Sequence, residues 1–150
     1  MRLTTKSRYG LRAIFDMAYN GFEAPAQIQE ISKRQNISPR YLEQIFQKLK
    51  KSGVLKSKRG PQGGYILAKK PSEIRLIDIL SITEGDLFIV SCSEPDHKCE
   101  NSFGCITKDV WDGASEALHQ YFSNITLEDL CKKASKMGIK KEEHTFMYYI

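Results

Sequence analysis

The stretch AQIQEISKRQ (26–35), NISPRYLEQIFQKLKKSG (36–53), VLKSKRGPQGGYIL (54–67) decides the fold. It reads as a short helix, a tight turn, a second helix and a basic, glycine-rich hairpin. In the first segment Ile28 and Ile31 mark one apolar face, while Glu30, Lys33 and Arg34 lie largely off it. Asn36, Ile37 and Ser38 interrupt that period. Ser38 is suited to accept the free backbone N–H groups of the next helix, and Pro39 falls at the first helical position, where its missing donor costs nothing. From there Leu42, Ile45, Phe46 and Leu49 repeat at three- and four-residue spacing, which predicts one buried stripe. Arg40, Tyr41, Gln44, Gln47, Lys48 and Lys51 are left toward water or a ligand, and Gly53 stops the helix. Two helices joined this closely, the second with a polar and basic outer face, are what reading a DNA major groove requires.

The hairpin supports that reading. Val54 and Leu55 open a short strand, and Tyr65, Ile66 and Leu67 close another. Between them lie Lys56, Lys58, Arg59, Gly60, Pro61, Gln62, Gly63 and Gly64. Glycine permits positive backbone torsions and close approach of another backbone. Cations at the tip can neutralise phosphate or enter a minor groove. Directly after a helix-turn-helix, such a hairpin reads as a wing. Arg40, Tyr41, Glu43 and Gln44 are the expected base-edge readers: Gln44 suits adenine, and Arg40 suits guanine or phosphate. Arg59 is placed to probe a minor groove, and Lys48, Lys56 and Lys58 to hold phosphates.

Charge is divided between the halves of the chain. Residues 1–75 hold 16 Lys and Arg against 5 Asp and Glu, a net of +11, and residues 76–150 hold 7 against 13, a net of −6. The first half suits a polyanion. At 150 residues the chain can bury one core and a small appendage. No apolar run is long enough to span a bilayer, and charges at Arg2, Lys6, Arg8, Arg12 and Asp16 argue against a signal peptide, so the expectation is a cytoplasmic protein without a membrane partner. No paired carboxylates flank an apolar pocket by pattern, and no nucleophile has a recognisable base, so an enzyme is not expected.

Outside the organising stretch, MRLTTKSRYGLRAIFDMAYN predicts a helix from Thr5 or Ser7 to Asn20, the central strut of a first domain. Arg2, Lys6, Ser7 and Arg8 at its start are placed to touch phosphate. Ile74, Leu76, Ile77, Ile79 and Leu80 fit a short amphipathic helix ending at Gly85, and residues 86–90 read as strand or packed coil. Ile106, Val110, Trp111, Ala114, Ala117, Leu118, Tyr121 and Phe122 form a broad apolar stripe on a long helix, which requires a partner surface. Two-fold pairing with a second copy is the economical answer. Thr126 and Asp129 resemble a capping box opening a last helix, LEDLCKKASK, where Cys131 reads as a small buried hydrophobe. The final residues read as a tail that Phe146, Met147, Tyr148 and Tyr149 anchor. The expected organisation is mainly α with a small β wing: a winged helix-turn-helix domain at 1–85, a cysteine-containing segment at 86–105, and a dimerisation helix with C-terminal helix and tail at 106–150.

Three of the four cysteines, Cys92, Cys99 and Cys105, fall in the polar segment SCSEPDHKCENSFGC, with six and five residues between them. Thiolates suit iron–sulfur clusters because sulfur donates charge to iron. By residue type alone, zinc held with His97 and a reversible disulfide remain equal alternatives.

MRLTTKSRYGLRA, SPRYLEQIFQKLKKSGVLKSKRGPQGGY, the three-cysteine loop and NITLEDL together resemble a family of winged helix-turn-helix repressors. That family includes the iron–sulfur biogenesis regulator IscR, the nitric-oxide sensor NsrR, the iron regulator RirA and the cysteine-metabolism regulator CymR. The resemblance runs to about Lys133, and the YLEQ and RGxxGGY combination carries most of its specificity. It implies a homodimer on double-stranded palindromic operator DNA, bound through Ser38, the helix from Pro39 to Ser52, and the wing. It also implies that Cys92, Cys99 and Cys105 ligate a [2Fe-2S] or [4Fe-4S] cluster and that DNA affinity reports iron–sulfur, redox or nitric-oxide status. The IscR pattern has histidine three residues after the last cysteine, where this chain has Lys108. The NsrR pattern has an acidic residue near the N-terminus, where this chain has Arg8. His97, Asp96, Glu94, Asp109 or an exogenous ligand are the remaining candidates for a fourth position. The CymR-like branch lacks the cysteine set and marks the alternative: a metal-free regulator of cysteine metabolism, or a thiol-oxidation sensor.

Overall fold

The structure is a computed structural model and describes residues 3–21, 23–99 and 104–142. Arg2 and the aromatic residues of the tail lie outside the described residues. In chain order the elements are α1 (Thr5–Gly21), α2 (Ile28–Gln35), α3 (Pro39–Lys51), β1 (Leu55–Lys58), β2 (Gly64–Leu67), α4 (Leu76–Glu84), α5 (Ile106–Ser123) and α6 (Leu127–Lys136). The mainly helical fold with a small two-stranded wing is the expected one.

Local chemistry sets the helix-turn-helix. Asn36 ends α2 in the left-handed region at φ 51°, a conformation its short polar side chain tolerates. The turn is knit by Ile37 N–H donating to the Ser32 carbonyl at 3.1 Å and Ser32 Oγ donating to the Ile37 carbonyl at 2.6 Å. Ser38 caps α3, accepting from Tyr41 N–H, and Pro39 stands in its first turn. Gly53, at φ 81°, lets the chain leave α3 while Val54 N–H bonds the Leu49 carbonyl. The buried residues of α3 are Leu42, Ile45, Phe46 and Leu49, the stripe that the period predicts.

β1 and β2 pair antiparallel with Leu55 opposite Leu67 and Lys58 opposite Gly64. A second pairing fixes the hairpin to the body: Ala26 N–H donates to the Tyr65 carbonyl at 2.8 Å, and Tyr65 N–H to the Ala26 carbonyl at 2.9 Å. Gly64 makes room for this approach, because a Cβ there would stand 2.5 Å from the Ala26 carbonyl oxygen. The Tyr65 ring also meets Phe46 edge-on at 5.1 Å, so the wing is packed directly against α3.

α1 is the strut. Its Ala13, Ile14 and Met17 join Ile31, Leu42, Ile45, Phe46 and Leu49 in one core. At Gly10 a Cβ would lie 3.2 Å from Thr83 and 3.3 Å from Ile45, which shows how closely α1 approaches α3 and α4. Ser7 departs from expectation. It is wholly buried and shares a 2.9 Å hydrogen bond with Thr83, so it is unavailable to phosphate. Beside it, the Thr4 N–H donates to the Glu84 carboxylate, which fastens the start of α1 to the end of α4. Partial burial pushes the Glu84 pKa up, but hydrogen bonds from Ser7 and Thr4 outweigh it and hold the carboxyl below its ordinary value.

α6 returns to this same core. Leu76 N–H bonds the Ile125 carbonyl at 2.9 Å, Leu127 N–H bonds the Ile74 carbonyl at 3.0 Å, and Leu127 and Ala134 are buried. The capping box is complete despite the shorter Asp: Asp129 N–H donates to Thr126 Oγ1 at 3.2 Å, and Thr126 N–H to the Asp129 carboxylate at 2.9 Å. Cys131 is half-buried, and burial raises its pKa. Residues 86–90 are coil rather than strand. Leu87 fills a small second cluster with Ile77 and Leu80, and a 3-10 turn follows at Ser91–Ser93.

Phe46→Ala removes a fully buried ring from the junction of core and wing and is expected to cost about 3–5 kcal/mol in urea unfolding. A loss below about 1 kcal/mol would mean that the junction closes without it. The depressed Glu84 carboxyl contributes stability above the ordinary carboxylate pKa, and that contribution is lost as pH falls toward its lower folded value. Glu84→Gln should therefore flatten the acid side of a stability–pH profile. An unchanged acid limb would remove Glu84 from the account.

Candidate nucleic-acid interface and cysteine segment

With its stripe buried, α3 presents Arg40, Glu43, Gln44, Gln47, Lys48 and Lys51 to solvent. Ser38 is exposed at its start. Lys56, Lys58, Arg59 and Gly60 are exposed on the adjacent wing, and Gly63 and Gly64 are half-buried at its return. The wing tip is a tight turn in which Gly63 N–H bonds the Gly60 carbonyl at 2.9 Å, and a side chain at Gly63 would collide with the Lys58 carbonyl. The tip therefore holds its cations on a constrained backbone. Lys6, near the start of α1, is half-buried. Tyr41 differs from its neighbours on α3, because its half-buried ring meets Tyr9 of α1 edge-on at 5.8 Å.

A buried polar network stands behind this face and escapes the sequence reading. Asp16, 2% exposed, receives Arg34 Nε at 3.0 Å, Arg34 Nη2 at 2.6 Å and Gln35 Nε2 at 2.9 Å. Burial alone would lower the Arg34 pKa, but the Asp16 carboxylate more than offsets it and the net direction is upward. Arg12 Nη2 donates to the Gln35 carbonyl at 2.6 Å, and its guanidinium lies 5.5 Å from the centre of the Tyr9 ring. The signal available in sequence is Asp16 itself, a carboxylate set among Ala13, Ile14 and Met17 on a buried face that requires a partner.

The cysteine segment runs from the end of α4 to the start of α5. Ile89 N–H donates to Ser115 Oγ at 3.1 Å, and Ser115 Oγ donates to the Trp111 carbonyl at 2.8 Å, so the segment is fastened to α5 before the 3-10 turn that carries Cys92. Cys105 is the residue before α5. Its thiol lies 3.2 Å from Thr107 Oγ1, and hydrogen bonds from Thr107 and the Lys108 backbone lower its pKa. Cys92, Cys99 and Cys105 are all half-buried free thiols. Among the described residues, no three His, Cys, Asp or Glu side chains are gathered as a group able to hold a metal ion.

The donor chemistry of the three thiols suits an iron–sulfur cluster. In the described arrangement they are not drawn together, so holding one requires the segment to close around it. Lys108, where a fourth ligand stands in the IscR pattern, pairs with Asp112 at 2.5 Å; this contact raises its pKa and keeps it protonated, without a lone pair for iron. His97 is exposed on a turn whose backbone N–H bonds the Glu94 carbonyl.

The expected pairing face on α5 divides in two. Ile106 is 83% exposed, Val110 59%, Tyr121 62% and Trp111 39%, an apolar row with little cover from its own chain. Ala114 and Leu118 are half-buried, and Phe122 packs against both clusters of its own core. No described helix is long and apolar enough to cross a membrane.

The sequence model of the Rrf2 family, described as "Iron-dependent Transcriptional regulator", matches residues 3–133. Protein rrf2 of Nitratidesulfovibrio vulgaris is 38% identical over 135 residues, covering 90% of each chain. The transcriptional regulator IscR of Escherichia coli O1:K1 / APEC is 36% identical over 145 residues, covering 97% of this chain and 89% of its own. Among solved structures, CymR, described as the global cysteine regulator of B. subtilis, superposes with a TM-score of 0.77 at 31% identity, covering 89% of this chain and 98% of that one. IscR of T. potens gives 0.75 at 35% identity, covering 99% and 97%. The chain belongs to the Rrf2 family and is a transcriptional regulator rather than an enzyme.

Proposed function

We propose that this regulator binds operator DNA as a homodimer and that the cysteine segment holds an iron–sulfur cluster whose presence sets its DNA affinity. The observation that carries the reading is the position of the three free thiols: they lie on one segment that links α4, bonded to the start of α1, to α5 with its open apolar row. The IscR relatives support the same reading. α3 enters a major groove, where Gln44 and Arg40 meet base edges while Tyr41 braces the helix. Lys48, Lys56 and Lys58 hold phosphates, and Arg59 reaches the neighbouring minor groove. Lys6, and Arg2 beyond the described residues, add phosphate contacts at the start of α1. Ile106, Val110, Trp111 and Tyr121 meet their counterparts across a two-fold axis, so two copies of α3 face successive half-sites of a palindrome and repress by occupying it.

Cys92, Cys99 and Cys105 hold the cluster, with His97 or an exogenous ligand at the fourth position. When bound, the cluster supplies a centre whose assembly and loss respond to iron, oxidants or nitric oxide. The chain's part is to couple. The closed segment pulls on α5 through the Ser115 contact and on α4 through Leu87, which shifts the separation of the two α3 helices and hence operator affinity. A second reading is favoured by the likeness to the CymR structure: a metal-free regulator responding to thiol oxidation or cysteine metabolism. His97 with three thiolates would otherwise suit zinc.

Anaerobic purification with ultraviolet-visible spectra, iron and acid-labile sulfide analysis, then duplex titration before and after cluster removal, tests the proposal. Cys92→Ala, Cys99→Ala and Cys105→Ala should each abolish the visible absorbance. Full retention in all three sinks the cluster reading, and iron- and sulfide-free protein after reconstitution favours the metal-free one. For the interface, Lys58→Ala should weaken binding across sequences and reduce the salt slope by about 1. Gln44→Ala should cost about 1–3 kcal/mol against the selected duplex and relax preference at one position. Unchanged salt slope and preference in both variants would move the interface elsewhere.

A further inference from the structure

Tyr9, Arg12 and Asp16 follow one another on α1 at spacings of three and four residues and share one face of that helix. Two of them hold the end of α2, and the third meets the start of α3. Asp16 grips the end of α2 through Arg34 and Gln35, Arg12 occupies the last carbonyl of α2 at Gln35, and Tyr9 abuts Tyr41 in the first turn of α3. The rail therefore spans the turn at 36–38 and fixes the helices on both of its sides to the same strut.

A buried ion pair is a costly way to stabilise a fold, since apolar groups of similar volume often do as well. Its distinctive contribution is direction. The planar guanidinium fork meets a carboxylate in few orientations, and here two Arg34 nitrogens and one Gln35 nitrogen converge on a side chain 2% exposed. Asp16 and Arg34 are too enclosed to serve as DNA contacts themselves. Their effect on recognition has to pass through the placement of α3.

We propose that Asp16 and Arg34, with Arg12, are positioning residues for sequence reading: the α1 rail sets the angle at which α3 leaves the turn, and so governs discrimination between DNA sequences more than stability or general DNA affinity. This rests on α3 being the DNA-reading helix. Specific contacts need side chains placed to within fractions of an ångström, whereas phosphate contacts from flexible lysines tolerate a small rotation.

The test uses the full chain, a duplex selected by the unaltered protein from a random-sequence library, and a scrambled duplex of the same composition at one salt concentration. The double variant Asp16→Leu/Arg34→Met removes both charges together while retaining volume. It should melt within about 5 °C of the parent and bind the scrambled duplex within about twofold, yet lose about tenfold or more on the selected duplex. Its salt slope should stay unchanged, because no phosphate contact is removed. Arg12→Lys supplies the same readout from an exposed position, preserving charge but removing the planar fork; the selected-to-scrambled ratio should fall about threefold. A folded double variant that retains the parent's ratio overturns the proposal. If that variant does not fold, an unchanged ratio in Arg12→Lys overturns it. Failure of the unaltered chain to enrich any duplex overturns the DNA reading itself, and this proposal with it, a result distinct from a changed ratio in the variants.

Discussion

The Asp16 carboxylate is the constraint on which the arrangement of the first half depends. It sits on the buried face of α1 with Arg34, Gln35 and Asn20 as hydrogen-bond donors. An unpaired carboxylate there would be strongly unfavourable, so α2 cannot drift from α1 without breaking a charged pair in a poorly solvated site. Apolar packing supplies most of the cohesion, through Ile14, Ile31, Leu42, Ile45, Phe46 and Leu49. Packing alone is tolerant of small rotations, and the ion pair removes that tolerance.

The elements legible in the sequence were those whose signals are local. Ser38, Pro39 and Gly53 bracket α3, and its 3.6-residue apolar period assigns the buried stripe without any tertiary knowledge. The wing followed from its glycines and its cluster of cations between two short apolar runs, and α5 from its long stripe. The Asp16–Arg34 pair was not legible, because its partners are 18 residues apart and nothing in the spacing selects one arginine over another. Ser7 failed for a similar reason. A hydroxyl near a helix start suits phosphate or a distant threonine equally well, and only the packing of α4 on α1 decides for Thr83. Cysteine spacing identified a segment rich in ligands, but spacing does not determine convergence of the thiols, and the described arrangement leaves them ungathered.

The same logic explains α6. Its capping box was readable, whereas its destination was not, because the return to α1 depends on the two backbone bonds that pair Arg75 with Thr126. Those bonds place Leu127 in the same core as residues more than a hundred positions earlier, such as Ile14. The winged helix-turn-helix is thus completed by a helix from the far end of the chain.

That return also encloses the stretch between the end of α4, which is packed on α1, and Phe122 as an excursion with both ends held to one finished core. Closing such a loop costs entropy that grows only slowly with its length. The segment can lengthen, shorten or lose local order while the core that carries α3 stays folded, since local openings draw only on local contacts. Chemistry carried by the excursion is therefore free to vary on one scaffold. A chain can exchange the signal it answers without having to rediscover how it folds.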